Sequence, residues 1–471
     1  MPFSPRPYQV QCRKAINDGF KRHDRQLIKL PTGAGKTNQF AWTVEDMLPG
    51  KSLVLCHRRE LITQAWQGIR ETTGIIAGIE MADSRATPRD PCVVGSVQTM
   101  TGRRLDKWGH DHFKFIACDE AHHSTSDIWQ EVLSRFPRAK VLGVTATPNR
   151  SDEKSLWNYY QNIPFQIGMM DLIRDGYLSR IVIKSVPLSI DAAGLTISKG
   201  DFDAASLGSI LDKYLPRIAV AIKEFAPTRR TVVFLPLIAT SKKMCAELCA
   251  AGLKAEHVDG ESQDRAEILK RFASGETQIL CNAMLLTEGW NCPVVDCIVN
   301  LRITRSENLY RQIVGRGTRI YPGKQNLLLL DLIWQHTKHE LCTPATLISN
   351  DKELKKAIDA AAIEKGLQWG EEDLDLQGLA SEVQAQRELA LAKELEKQKR
   401  KEEKQILVNG RDAAMMLRAF QIADEKARGP CGDMATPKQL LRIAQARLHP
   451  RPETLTRAEA SRLIGQLYAR R

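Results

Sequence analysis

Short apolar runs, each closed by a polar or glycine-bearing loop, recur along the first two-thirds of the chain. In the first half they are Leu27–Leu30, Leu53–Cys56, Cys92–Val94, Phe115–Cys118 and Val141–Val144. Helical patterns separate them. Apolar strands alternating with helices predict a parallel sheet covered on both faces. A second series follows, with candidates Ile181–Val186, Thr231–Leu235, Ala255–Val258, Gln278–Cys281, Cys297–Asn300 and Asn326–Leu330. It predicts a second α/β domain, with Ser189–Phe225 as a linker or small insertion. Ligands of such sheets sit beyond the C-terminal strand ends, so the loops that follow the strands are where chemistry is sought.

Beyond about Leu347 the pattern changes. Residues Asp351–Gln405 are dense in charge and helical in pattern. Leu376, Leu379 and Val383 form a short stripe without sustained heptads, which predicts a solvated helix or helical linker and not a coiled coil. The last piece carries two capping boxes, Thr436-Pro437-Lys438-Gln439 and Thr456-Arg457-Ala458-Glu459, around a proline-broken loop. Two short basic helices are predicted there.

Charge sharpens this picture. The 471 residues carry a formal net charge of +12. The stretch Thr436–Arg471 holds eight Lys or Arg against two acids, half of that excess. A basic end module and a polyanionic partner are the expectation. The 11 cysteines are scattered with no C-x-x-C pair, the pattern of buried reduced thiols and not of a zinc or iron–sulfur site. The opening MPFSPRPYQ is not an apolar targeting stretch, and no run approaches ~18 apolar residues, so neither secretion nor membrane insertion is expected. The expected location is cytoplasmic.

Candidate chemistry begins at Leu30-Pro31-Thr32-Gly33-Ala34-Gly35-Lys36-Thr37, between a strand and a helix. Gly33 and Gly35 permit a tight turn whose N–H groups face phosphate. Thr32 and Ala34 complete the loop, Lys36 reaches the β/γ-phosphates, and Thr37 can hold Mg²⁺. Leu30 stands where the longer P-loop pattern places glycine. The apolar strand ending in Asp119-Glu120 supplies a second Mg²⁺ ligand, Asp119, and an acid, Glu120, that can position the attacking water. ATP and Mg²⁺ are the implied ligands.

Asp119-Glu120-Ala121-His122 is a DEAH box, and here a family resemblance enters. The chain resembles superfamily 2 DEAD/DEAH helicases, most like the branch shared by excision-repair DNA helicases and motor subunits of type III restriction enzymes. The resemblance covers roughly residues 1 to 345. Arg6-Pro7-Tyr8-Gln9 resembles the adenine-recognition element, with Gln9 on the base edge. Leu55–Leu61, including Arg58, and Gly95–Thr99, including Ser96, Gln98 and Thr99, resemble the motifs that touch the nucleic-acid backbone. Thr145-Ala146-Thr147-Pro148 matches the coupling motif. Val232–Pro236 and Asp259-Gly260-Glu261 with Arg265 follow the second-domain spacing. Leu286–Pro293, with Thr287 and Gly289, resembles motif V, and Tyr310–Arg319 resembles motif VI.

The resemblance implies two tandem RecA-like parallel-sheet domains with a helical basic C-terminal extension. The expected divisions are residues 1–178, 179–346, a charged helical linker 347–434 and a basic module 435–471. It also implies roles. Gln9, Thr32, Gly33, Ala34, Gly35, Lys36, Thr37 and Gly289 bind nucleotide. Thr37 and Asp119 bind Mg²⁺, and Glu120 activates water. His122 and Gln312 link the two domains' sites, while Arg316 and Arg319 enter the ATP site from the second domain. Arg58, Ser96, Gln98, Thr99, Arg265 and Thr287 contact nucleic acid. The implied activity is an ATP-dependent DNA helicase or translocase. An RNA helicase, an ATP-switched nucleic-acid-binding recruitment factor and a P-loop ATPase unrelated to nucleic acid stay open. The C-terminal module is read either as a nucleic-acid contact or as a surface for the motor or a protein partner. No nuclease constellation is seen in the tail.

Overall fold

The computed structural model describes residues 4–146, 156–191, 194–198, 200–283, 285–287, 289–335, 342–348, 352–368, 374–389 and 434–468. The chain divides into two compact units, Met1–Val383 and Gln384–Arg471.

Seven parallel strands build the first sheet: β1 (Arg25–Lys29), β2 (Lys51–Cys56), β3 (Gly78–Glu80), β4 (Cys92–Ser96), β5 (Phe113–Asp119), β6 (Lys140–Thr145) and β7 (Asn162–Gln166). Their order is β3-β4-β2-β5-β6-β1-β7. The side-chain period of two splits each central strand between two cores. Val54, Phe115 and Ala117 join one apolar cluster, while Leu53, Leu55, Ile116 and Cys118 join another on the opposite face. The sequence candidates fall on five of these strands. The two it misses, β3 and β7, lie at the edges, and β7 is half-exposed over most of its length.

The second sheet contains β8 (Ile181–Asp191), then β11 (Thr231–Phe234), β12 (Ala255–Val258), β13 (Ile279–Asn282), β14 (Cys297–Asn300), β15 (Leu327–Gln335) and β16 (Leu374–Asp375). Their order is β12-β13-β11-β14-β15-β8-β16, parallel except for the antiparallel edge strand β16. A small hairpin, β9 (Ile197–Ser198) with β10 (Asp201–Phe202), precedes two helices. Both sheets contribute to one continuous core: Val232, Phe234 and Leu280 cluster with Val54 and Phe115.

Two sequence expectations are corrected. Ser189–Phe225 is not a linker or a loose insertion. Helix Ala204–Asp212 is capped by Asp203, whose carboxylate accepts from the Ser206 N–H at 2.8 Å. That helix and Leu215–Phe225 bury Leu207, Leu211, Leu215, Ile218 and Ile222 against β8, β11 and β15, so they form a covering layer of the second sheet. The stripe Leu376, Leu379 and Val383 is also packed and not solvated: Leu379 and Val383 bury with Ala345 and Ile358. Residues 390–433 lie outside the described residues.

In the second unit, helices Pro437–Gln445 and Arg457–Tyr468 are joined through the 3₁₀ turn Pro452–Thr454. Both capping boxes form. Thr436 Oγ1 accepts from the Gln439 N–H, and Glu459 accepts from the Thr456 N–H at 2.9 Å.

Candidate functional site at the cleft between the two sheets

Sheet order gathers the site. Strands β5, β6 and β1 are neighbours, so the loops after them, carrying Asp119-Glu120, Ala146 and the P-loop, open on one edge. Gly33 and Gly35 have φ of 86° and 81°, left-handed values that suit glycine. At Gly35 a Cβ would stand 2.4 Å from Nε2 of Gln9, so the close approach needs glycine. Gln9 is held on the loop from several sides. Its Nε2 donates to the Ala34 carbonyl at 3.3 Å, and its Oε1 accepts from the Arg6 N–H at 2.9 Å. Tyr8 donates to the same Ala34 carbonyl at 2.8 Å. Arg6 reaches the Tyr177 carbonyl at 2.9 Å and lies over that ring, a contact the sequence reading did not include.

Lys36 opens helix Lys36–Asp46, and its Nζ lies 3.1 Å from Oε1 of Glu120. Thr37 turns its methyl toward Gly68, where a Cβ would come within 2.3 Å of it. Glu120 adopts φ 50°, an uncommon value for a residue with a side chain. Its N–H donates to Oδ1 of Asp119 at 3.0 Å. Burial, then the neighbouring Glu120 charge, raise the Asp119 carboxyl to about 6, while Lys36 opposes them. A buried acid paired with a second acid suits a cation site. The Thr37 hydroxyl, next to Lys36 in the P-loop, adds an oxygen donor, and these donor types fit Mg²⁺.

The second sheet closes the cleft. Helix Glu307–Gly315 starts at Ser306, whose Oγ accepts from the Leu309 N–H. A Cβ on Gly315 would come within 2.6 Å of Thr32 Cβ, so the two domains meet at the P-loop itself. A Cβ built on Gly33 would meet Arg319 Cγ at 3.5 Å. Arg319 Nη1 is buried without a hydrogen-bond partner, and burial followed by Arg316 lowers its pKa to about 9. An orphaned guanidinium N–H beside a phosphate-type loop fits a polyphosphate.

Arg316 is engaged differently. It donates to the Thr287 carbonyl through Nε at 2.9 Å and Nη2 at 2.6 Å, and to the Trp290 carbonyl at 2.8 Å. Lys324, which the sequence reading missed, donates to the Val295 carbonyl at 2.6 Å and the Arg319 carbonyl at 2.7 Å, and also to Gly317. It braces the loop that presents Arg319. Its signal in sequence is weak, because a lone lysine after a Pro-Gly turn usually faces solvent.

The contact from His122 across the cleft is made to Asn308. Its Nδ2 lies 3.2 Å from His122 Nε2, and His122 Nδ1 lies 3.4 Å from Glu120 Oε2. Gln312, one turn later, was expected in this link, but its Nε2 is buried without a partner.

Four of the residues expected at nucleic acid, Arg58, Ser96, Gln98 and Thr99, lie at the ends of β2 and β4, which are neighbours. Arg58 and Gln98 are exposed, Thr99 is half-buried and Ser96 is buried. Ser96 donates to Gln98 Oε1 at 2.7 Å, and Gln98 donates to the His57 carbonyl at 3.0 Å. Arg265 pairs with Glu60 at 2.9 Å across the cleft. Thr287 is buried under Arg316. Gly289, expected at the nucleotide, lies against the start of helix Arg59–Thr73. Its φ is 68°, and a Cβ there would come within 2.6 Å of Glu60 Cβ. Thr147, Pro148 and Glu288 lie outside the described residues.

Residues 2–150 match the family model described as type III restriction enzyme, res subunit, and residues 211–321 match the helicase conserved C-terminal domain. The chain belongs to the superfamily 2 helicases. It is 31% identical over 344 residues to a Schizosaccharomyces pombe protein named as the mitochondrial ATP-dependent helicase irc3, covering 69% of this chain and 57% of that one. It is 28% identical over 360 residues to a Saccharomyces cerevisiae protein named as the ATP-dependent helicase IRC3, covering 71% and 52%. The chain thus spans little more than half the length of these relatives. An HsdR-type subunit fragment of a type I restriction enzyme from Vibrio vulnificus shares the fold, with TM-score 0.56 and 23% identity over 70% of this chain and 64% of that one. Among the described residues no helix is long and apolar enough to cross a membrane.

Proposed function

We propose that this helicase-family chain hydrolyses ATP and couples the cycle to movement along DNA. The observation that carries the reading is the pairing of Lys36 and Glu120 on one domain with a partnerless Arg319 guanidinium N–H from the other, set against Gly33. Lys36 and the 32–37 loop hold the phosphates, and Gln9 reads the base. Thr37 and Asp119 would hold Mg²⁺, which neutralises phosphate charge and aligns the oxygens. Glu120 positions water, and Arg319 stabilises charge on the transferred phosphoryl group. Because Arg319 belongs to the second domain, the site is complete only when the cleft is closed. Hydrolysis relaxes it, and in this reading Arg58, Gln98 and Arg265 pass such motion to a bound strand.

The divisions proposed with this reading are 1–178, 179–346, 347–434 and 435–471. The cytoplasm is the proposed compartment. DNA is favoured over RNA by the restriction-subunit family match of residues 2–150. Steady-state ATP hydrolysis, measured alone and with single-stranded DNA, duplex DNA and RNA, tests the reading. Strong stimulation by DNA and weak stimulation by RNA is expected. Stimulation by RNA alone makes the chain an RNA motor. ATP binding without turnover makes it an ATP-switched binding factor.

A further inference from the structure

The basic C-terminal module lies outside both family matches, which end at residue 321. It has its own small core of Ala435, Leu440, Ile443, Leu455 and Ala460. Gln439 joins its two helices, with Nε2 donating to Ser461 Oγ at 2.7 Å and to the Arg457 carbonyl at 3.4 Å. Basic residues border this contact. Lys438 precedes Gln439 by one residue and Arg442 follows it by three, Arg457 is one of its partners, and Arg462 follows Ser461. All four side chains are exposed, as are Arg447 and Arg451. Of the module's two acids, Glu459 is occupied as the cap of its own helix, accepting from the Thr456 N–H and hydroxyl.

The apolar side chains tell the other half. Leu440 and Leu455 are buried, and no large apolar side chain described in the module is exposed. Protein-docking surfaces centre on exposed aromatic or aliphatic anchors, and single-strand binding surfaces on aromatic platforms. Neither is present among the described side chains. What remains is a pair of capped helices that presents positive charge, the chemistry of sequence-independent phosphate contact.

We propose that the module of residues 434–468 is a binding site for the phosphodiester backbone of double-stranded nucleic acid, anchoring the motor to duplex. The proposal rests on the reading of the chain as a nucleic-acid motor. It assigns the module a backbone grip of its own.

The test uses the full chain and fluorescence anisotropy with a labelled DNA duplex of about 20 base pairs, a matched RNA duplex and a single strand, across a salt series without nucleotide. Two variants are compared with the parent. One changes Lys438, Arg442, Arg457 and Arg462 to Glu, and the other changes the same four to Gln. Each lost phosphate contact lowers the log–log salt slope by about 0.9. A fall of about 3.6 in slope and at least about tenfold weaker duplex binding are expected for the Gln variant, and more for the Glu variant. ATP turnover without polymer stays at the parental rate in both, whereas Lys36→Ala abolishes it; failure of the motor reading is thereby seen separately. Duplex binding with parental slope and affinity in both variants overturns the proposal. So does a loss confined to the single strand, or a parent chain that binds no duplex.

Discussion

Asn308 and His122 meet across the cleft at 3.2 Å, joining the motif VI helix to the residue two places after Glu120. The amide nitrogen of Asn308 can only donate, so His122 Nε2 accepts and its proton resides on Nδ1, facing Glu120. The position of the second domain is therefore felt at the proposed water-positioning acid through one imidazole. Asn308→Ala is expected to lower polymer-stimulated kcat about tenfold, with KM for ATP unchanged. Parallel changes in both constants would show that Asn308 serves nucleotide binding instead.

Arg316 and Arg319 are expected to separate. Arg319→Ala removes a buried cation with a partnerless N–H, so turnover falls by about 10³ or more while thermal stability is kept or rises. Arg316→Ala strips the Thr287 and Trp290 carbonyls of their donors and costs stability on the order of 3 kcal/mol. Denaturant unfolding beside kcat distinguishes them. Equal loss of stability in both would remove the distinction.

Asp119 gives a pH signature. Its folded pKa, about 6, lies above the ordinary carboxyl value. The folded state therefore holds a proton that the unfolded chain releases. This contribution is fully present below about pH 4 and is lost as pH rises through about 6. Asp119→Asn is expected to be more stable than the parent above about pH 6, with the difference closing by about pH 4. Urea midpoints across that range read it. The same variant should lose Mg²⁺-dependent turnover.

Gly289→Ala tests the other end of the cleft. A Cβ 2.6 Å from that of Glu60, at φ 68°, forces the motif V turn away from helix Arg59–Thr73. Polymer-stimulated turnover should drop at least about tenfold, because the domains cannot close, while ATP-binding affinity is kept. Full stimulation in this variant would show that the contact between Gly289 and Glu60 is dispensable.

Much of this was legible from residue order. Strands buried on both faces write themselves as apolar runs, which is why β1, β2, β4, β5 and β6 could be placed. The short edge strands β3 and β7 have no such run, because an edge needs less apolar surface. The helices after Asp203 were hidden behind a polar, glycine-bearing stretch, although Leu207, Leu211, Leu215, Ile218 and Ile222 carry helical spacing. In the site, the P-loop and the acids after β5 could be read because their chemistry is local. The partners of Arg316, the brace from Lys324 and the contact of Asn308 depend on which loops the two sheets bring together. The contact of Gly289 with Glu60 was hidden for the same reason: a motif gives order along the chain and not the residues it meets across the cleft.

The pair formed by Lys36 and Glu120 has a consequence for idling. One ammonium cannot serve a carboxylate and a polyphosphate at full strength together. On the ATPase reading, phosphate arrival draws Lys36 away and leaves Glu120 to His122 and water. The acid is thus neutralised while the site rests and is released by the substrate it acts upon. Substrate entry is the arming step of the machine.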